Sequence, residues 1–144
     1  MACIDPREME RIAREEVPFV GQLGIRFEHI EDGTARAVLP MTAENGLLRP
    51  GGTISGPVMM GMADYVMYAC VISMVGPALM AVTTNLNANF LRRPRPVDLV
   101  AEGRLLKCGK RLAYGEVTLW SAGAPEDPVC HVTLTYALPP ADAG

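Results

Sequence analysis

The sequence predicts an α+β fold in which an antiparallel sheet wraps around one long, buried helix. After Ser55 come about 20 residues, compatible with roughly 30 Å of helix, that are apolar except for a single charge, Asp64. A helix that is apolar on every side is usually a core helix. Four segments with period-two alternation follow between residues 81 and 138, joined by short turns, which is typical of antiparallel strands.

The composition indicates one globular domain over residues 1–144, with a core at about 18–138. The chain has 144 residues, of which 49% are hydrophobic and 20% charged. A net charge of −3 gives no reason to expect a nucleic-acid partner. The N-terminal residues lack the apolar stretch of a secretory signal, and the dispersed cysteines have no metal-ligand spacing. We expect a cytoplasmic protein with reduced thiols, no metal and no cofactor, although a disulfide pair remains the alternative.

Two elements are predicted before the long helix. Residues 5–17 form an amphipathic helix that Asp5 can cap and Pro6 can begin. Residues 25–40 form either a strand pair about the Asp32-Gly33 turn signal or one long bent strand. Residues 40–50 are rich in turn formers and predict a loop.

The long helix has local start and stop signals. Ser55 is a candidate N-cap whose hydroxyl can accept from a free backbone N–H, and Pro57 suits the first turn. Gly76 followed by proline predicts the end. The uncharged run 65–82 is just long enough to span a membrane, but the glycine–proline pair interrupts it. A core helix followed by a strand is therefore favoured over membrane insertion.

Asp64 is the candidate catalytic residue. An ionised carboxylate in a buried helix costs several kcal/mol unless it is paired or hydrogen-bonded, and catalysis is a common reason to keep one. The alternative is a structural carboxylate in a buried network. Free N–H groups at the helix start can bind a developing negative charge. We expect that start and Asp64 to lie near one face of the helix.

The strands after the helix are predicted at 81–91, 97–107, 111–121 and 128–138. On the first of these, strict alternation places Val82, Thr84 and Leu86 on one face and Thr83 with Asn85 on the other. One such sheet leaves strand edges and an apolar face open, so we expect a dimer with a shared site.

Two segments carry a resemblance to a known family. They are GGTISGPVMMGMADYVMYA and TTNLNANFLRRPRPVDLVAEGRLLKCGKRLAYGEV. They resemble the glycine-rich entry, central helix and following strands of hotdog-fold thioesterases of the phenylacetate-degradation type. The resemblance extends over about residues 18–138.

The resemblance implies hydrolysis of acyl-CoA thioesters. Asp64 matches the family's carboxylate, which acts as nucleophile or as general base on water, and the Gly56 N–H matches the donor to the thioester oxygen. Thr83, with Thr84 one position away, matches a Ser or Thr that faces the site across the dimer interface. The family also implies a homodimer or a dimer of dimers, with sites at the dimer interface.

This chain departs from the family pattern at the helix entry. Ser55-Gly56-Pro57 stands where His-Gly-Gly is common, and Arg49 stands where Asn is common. Ser55 can still cap the helix and donate a hydrogen bond. Arg49 either holds the thioester carbonyl or pairs with Asp64 and lowers its basicity. These departures keep a second hypothesis open, which is a non-catalytic acyl-CoA-binding module. A hydratase is a weaker third, since it usually needs a histidine that this motif lacks.

Basic residues cluster in two predicted turns. They are either solvated turn residues or contacts for the phosphates of CoA, which guanidinium groups suit well. The residues are Arg92, Arg93, Arg95, Lys110 and Arg111.

Overall fold

The computed structural model of the protein describes residues 4–17, 21–41, 48–49, 53–76 and 80–140. The predicted turn at 18–20, most of the predicted loop at 40–50 and the tail beyond 140 lie outside these residues. The predicted N-terminal helix is confirmed as α1 (Pro6–Glu16). The Asp5 carboxylate caps it by accepting the Glu8 N–H at 2.9 Å.

Residues 25–40 form a hairpin, so the strand-pair alternative is the correct one. β1 (Arg26–Glu31) and β2 (Thr34–Leu39) pair antiparallel through a turn in which Gly33 has φ 81°. That positive φ suits glycine. Two short strands, β3 (Leu48–Arg49) and β4 (Thr53–Ile54), form a separate antiparallel pair before the long helix.

The long helix is confirmed as α2 (Gly56–Val75), which has 20 residues. Gly76 ends it with φ 83° and an N–H that donates to the Ile72 carbonyl at 2.9 Å. By length and composition α2 is the one helix among the described residues that could cross a membrane, but 67% of its most apolar stretch is buried inside the protein. The burial favours the core-helix interpretation.

Four long strands complete the main sheet, and all neighbours pair antiparallel in the order β1-β2-β6-β7-β8-β5. α2 packs against one face of this sheet, chiefly on β6, β2 and β7. The predicted α+β hotdog fold is therefore confirmed. The four strands are β5 (Val82–Phe90), β6 (Leu99–Cys108), β7 (Leu112–Ser121) and β8 (Cys130–Ala137).

Two close contacts hold α2 against the sheet. A Cβ at Gly115 would lie 2.5 Å from the Arg104 carbonyl oxygen and 2.5 Å from Cε of Met67, so only glycine lets β7 approach the helix here. At the far end of α2, the buried Ser73 hydroxyl accepts the Gly33 N–H at 2.9 Å. The helix is thus fixed against both β7 and the β1–β2 turn.

β5 departs from strict alternation near its start. Its pairing with β8 shifts register between Thr83 and Asn85, which leaves Thr84 as an extra residue. Thr83 pairs with Tyr136, and its hydroxyl reaches Asp64 on α2. The prediction that Thr83 shares a face with Asn85 is wrong, because a β-bulge inserts one residue and reverses the side-chain direction beyond it.

Candidate active site

The Asp64 carboxylate is half-buried on α2 and is held by two hydroxyl groups. Its Oδ1 accepts the Thr83 O–H at 2.6 Å and the Tyr136 O–H at 2.6 Å. Distances of about 2.5–2.7 Å are typical of O–H donors on an ionised carboxylate. The two bonds offset the cost of holding this charge partly out of water.

Tyr136 is the site residue that our sequence reasoning missed. It lies on β8 and is only 3% exposed, and its ring stacks on Tyr68 with centroids 6.2 Å apart. Burial raises the pKa of Tyr136, and the negative charge of Asp64 and the hydrogen bond to it raise that pKa further, so the phenol stays a donor. The signal was present in the alternation of β8, which puts Tyr136 on the inward face, where a buried phenol needs a partner.

The start of α2 differs from the prediction in one respect. Ser55 occupies the N-cap position, but its hydroxyl makes no capping hydrogen bond. A cap hydroxyl accepts from the second or third helical N–H; Pro57 in the second position has none, and the N–H of Val58 in the third is not bonded by Ser55. Within the described part of the chain, no acceptor engages the Gly56 N–H. That donor is therefore available to a ligand.

A cleft of about 390 Å³ opens beside Gly56. A Cβ at Gly56 would lie 3.4 Å from Cζ of Phe90, so the Phe90 ring covers the helix start. Met59 and Leu91 extend the apolar wall, and Arg92 and Arg93 stand at the rim. An apolar chain with a polar, anionic end fits such a cleft.

One chain does not bring the Gly56 N–H and Asp64 together. They are eight residues apart on a regular helix, which separates them by about 12 Å along the axis. An oxyanion donor and a nucleophile or base must each come within about 3 Å of one reacting carbonyl. The expectation that the helix start and Asp64 form one reaction centre on a single helix face is therefore not met within one chain.

The predicted basic residues also fall into two places. Arg92, Arg93 and Arg95 are exposed beyond the Phe90 end of β5, where Arg92 bonds the Pro128 carbonyl at 3.0 Å. Lys110 and Arg111 lie at the β6–β7 turn, next to the Val82 end of β5. The eight residue steps between Val82 and Phe90 span roughly 26 Å of strand. A single chain thus presents two basic groups rather than one patch.

Arg49 is described only in its backbone, which pairs with Thr53 between β3 and β4. Its side chain lies outside the described structure, and its role stays a prediction. Thr84, which is one position away from Thr83 in the family match, makes a different contact. The Thr84 hydroxyl donates to the Thr135 carbonyl at 3.2 Å, so Thr83 is the residue that contacts Asp64.

Comparison with known proteins agrees with this architecture. The family model of the thioesterase superfamily matches residues 51–126, which include the helix entry, α2 and the strands after it. The chain belongs to the thioesterase superfamily. A protein from Silicibacter sp. TM1040, described as a predicted thioesterase, has a solved structure that superposes with a TM-score of 0.83 at 34% identity, covering 97% of this chain and 95% of that one.

Two further proteins are similar to this chain. A predicted esterase from Saccharolobus solfataricus is 28% identical over 118 residues, which is 81% of this chain and 75% of the relative. A hypothetical thioesterase from Streptococcus pneumoniae, solved with coenzyme A, superposes with a TM-score of 0.69 at 19% identity, covering 81% and 86% of the two chains. The second likeness shows the fold alone.

Proposed function

We propose that this protein hydrolyses acyl-CoA thioesters to a free acid and CoA. The observation that carries the proposal is the Asp64 carboxylate on the core helix, whose Oδ1 is fixed by two hydroxyls. No described residue bonds its Oδ2, which leaves that oxygen for a water or a thioester carbon. Asp64 either attacks the carbonyl carbon, forming a mixed anhydride that water then hydrolyses, or removes a proton from a water that attacks the carbon directly. On both routes the C–S bond breaks, water supplies the oxygen of the free acid, and the CoA thiolate takes up the proton that this water loses.

The Gly56 N–H is the proposed donor to the oxyanion, and the site is formed by two chains. β5 runs alongside the first half of α2 in the opposite direction, since Phe90 covers Gly56 and Thr83 contacts Asp64. Two identical edge strands related by a two-fold axis pair antiparallel. Such pairing brings the Phe90 end of one β5 to the Thr83 end of the other. The Gly56 of each chain then approaches the Asp64 of the second copy.

The exposure of β5 supports this dimer. β5 is an edge strand of nine residues, and the large apolar side chains at its two ends, Val82 and Phe90, are 54% and 51% exposed. A long, exposed edge strand is a ready template for pairing with another chain. We propose a homodimer, or a dimer of such dimers, located in the cytoplasm.

CoA is the proposed carrier group because of the charges that the dimer would assemble. Antiparallel pairing of β5 places Lys110 and Arg111 of one copy near Arg92 and Arg93 of the other. The two basic groups that lie apart in one chain then form one patch beside the Gly56 cleft, where phosphates can bind. The Streptococcus pneumoniae structure, which contains coenzyme A, is consistent with this ligand.

A thiol-release assay tests the proposal. Short-chain, long-chain and aryl acyl-CoAs are offered to the wild-type protein and to Asp64→Asn, with DTNB detecting free CoA. A substrate-free blank corrects for the partly exposed thiol of Cys108. We expect turnover of at least one class by the wild type and a loss of about 10²-fold or more in the variant. Binding without thiol release across the panel would instead support the acyl-CoA-binding module.

A further inference from the structure

We propose that Tyr136 is a positioning residue, whose phenol fixes Asp64 through Oδ1 so that Oδ2 faces the reacting water or thioester carbon; this inference rests on the proposed hydrolase function. Tyr136 lies on β8, 72 positions from Asp64 in sequence. Both acceptors of its hydroxyl belong to Asp64, so its effect on the reaction is exerted through that residue.

The geometry gives Tyr136 more control over Asp64 than a single hydrogen bond would. Its oxygen lies 2.6 Å from Oδ1 of Asp64 and 3.0 Å from the backbone carbonyl oxygen of the same residue. One rigid phenol therefore touches the side chain and the main chain of Asp64 together. The carboxylate cannot rotate about its Cβ–Cγ bond without breaking the short bond to the phenol.

Thr83 completes the fixation from a second strand. Thr83 and Tyr136 are direct partners across the β5–β8 pairing, so both hydroxyls stand side by side on the face that meets α2. The bulge at Thr84 is what turns Thr83 to this face. Both protons converge on Oδ1, and Oδ2 is the oxygen left for chemistry.

The position of Tyr136 is set by packing and not by solvent contacts. The ring is 3% exposed and stacks on Tyr68 of α2 at an interplanar angle of 18°. A buried ring that stacks on another ring holds its phenol oxygen in one place. A flexible or solvated donor would not select one carboxylate oxygen in this way.

Few ionisable groups of the described structure surround the hydrogen bond between Tyr136 and Asp64. Besides burial and Asp64, Tyr68 affects the pKa of Tyr136, and burial together with the negative charge of Glu16 on α1 raises the pKa of Tyr68. None of the lysine, arginine or histidine side chains that the structure describes, a set without Arg49, forms an ion pair with Asp64. Hydroxyl donors therefore stabilise the charge of Asp64 in the described part of the chain.

The test compares Tyr136→Phe with Tyr65→Phe. Each variant loses one buried phenol bond, but Tyr65 donates to the Met9 carbonyl and not to Asp64. For Tyr136→Phe we expect kcat to fall about tenfold with KM little changed, because a hydrogen-bond donor to the carboxylate is lost. Tyr65→Phe should lose stability without this fall in kcat.

A second measurement does not depend on turnover. A buried O–H on a carboxylate should give a slowly exchanging proton resonance downfield of the amide protons. We expect this resonance in the wild type and in Tyr65→Phe, its absence from Tyr136→Phe, and an upfield move in Asp64→Asn. Thr83→Val should repeat the fall in kcat, and Thr83→Ser, which keeps the hydroxyl, should restore it.

The outcomes separate the two proposals. If Asp64→Asn abolishes turnover while Tyr136→Phe leaves kcat and the downfield resonance unchanged, the role of Tyr136 is refuted and the hydrolase function stands. If Asp64→Asn keeps wild-type turnover, the proposed mechanism fails, and the role of Tyr136 fails with it. Parallel changes in Tyr136→Phe and Tyr65→Phe would show a purely structural role.

Discussion

The proposed role of the Gly56 N–H as oxyanion donor can be tested by a substitution that removes the N–H and keeps the helix start intact. Gly56→Pro replaces the N–H by a ring carbon at the first helical position, where proline is tolerated. Ser55 has φ −75° and ψ 156°, which a residue before proline adopts readily. Gly56→Ala is the matched control, because it adds a Cβ but keeps the N–H. A Gly56→Pro/Pro57→Ala double variant repeats the test without consecutive prolines.

The structure sets the size of the two effects. In Gly56→Ala the new Cβ meets Cζ of Phe90 at 3.4 Å, so the ring has to move by only a few tenths of an ångström and hydrolysis should fall less than about tenfold. In Gly56→Pro the oxyanion loses its donor, which typically costs about 10²–10³-fold in kcat. The assay is thiol release at saturating substrate, with unfolding midpoints measured to confirm that both variants are folded.

Mixing variants tests the two-chain site. Co-expressed Gly56→Pro and Asp64→Asn chains form hybrid dimers in which one site carries both changes and the other carries neither. With random pairing half of the dimers are hybrids, so roughly a quarter of wild-type activity should return. If Gly56 and Asp64 served one site within one chain, the mixture would stay as inactive as its parents. That result, or equal activity of Gly56→Pro and Gly56→Ala, would refute the reasoning.

Three further predictions concern stability. Gly115→Ala should lower the free energy of unfolding by about 1–3 kcal/mol in chemical denaturation, because its Cβ would lie 2.5 Å from the Arg104 carbonyl oxygen, whereas Gly109→Ala, whose nearest contact is 3.4 Å, should be nearly neutral. Ser73→Ala should cost about 1–3 kcal/mol in the same assay, since the Gly33 N–H loses its buried acceptor; an unchanged midpoint would contradict this. Hydrogen bonds from His131 and Arg104 hold the pKa of Glu116 below its ordinary value of 4.5, so its contribution to stability is present above pH 4.5 and lost as pH falls through the lowered pKa. Glu116→Gln should therefore unfold with a weaker pH dependence below pH 4.5, and an acid-unfolding curve parallel to that of the wild type would exclude this role.

The elements of the fold were predictable from the sequence because each has a local signal. The uniform apolarity of α2, Pro57 near its start and Gly76 at its end defined a helix that the structure reproduces as Gly56–Val75. Alternation defined β6, β7 and β8 to within two residues at each end. The capping bond of Ser55 was mispredicted because residue preference identifies the N-cap position but not the direction of its hydroxyl, which makes no bond to the Val58 N–H.

The set of residues in the site was less predictable, because the register in which two strands pair decides which side chains lie next to each other. Asp64 could be found as one charge in an apolar helix, and Thr83 through the family resemblance. Tyr136 could be placed on the inward face of β8 but not next to Asp64, since that depends on which β5 residue lies opposite it. The pairing of Thr83 with Tyr136 follows from one irregularity, the extra residue at Thr84.

That irregularity links the fold to the proposed chemistry. With strict alternation through Thr84, Thr83 would point away from α2, and Oδ1 of Asp64 would keep only the phenol of Tyr136. The bulge adds a second donor without adding a charge, and none of the cationic side chains that the structure describes, among which Arg49 is not included, pairs with the carboxylate. The two hydroxyls orient the carboxylate through Oδ1, which leaves Oδ2 for attack or proton removal. β-bulges are common next to active sites, where the extra residue changes the direction in which a side chain points.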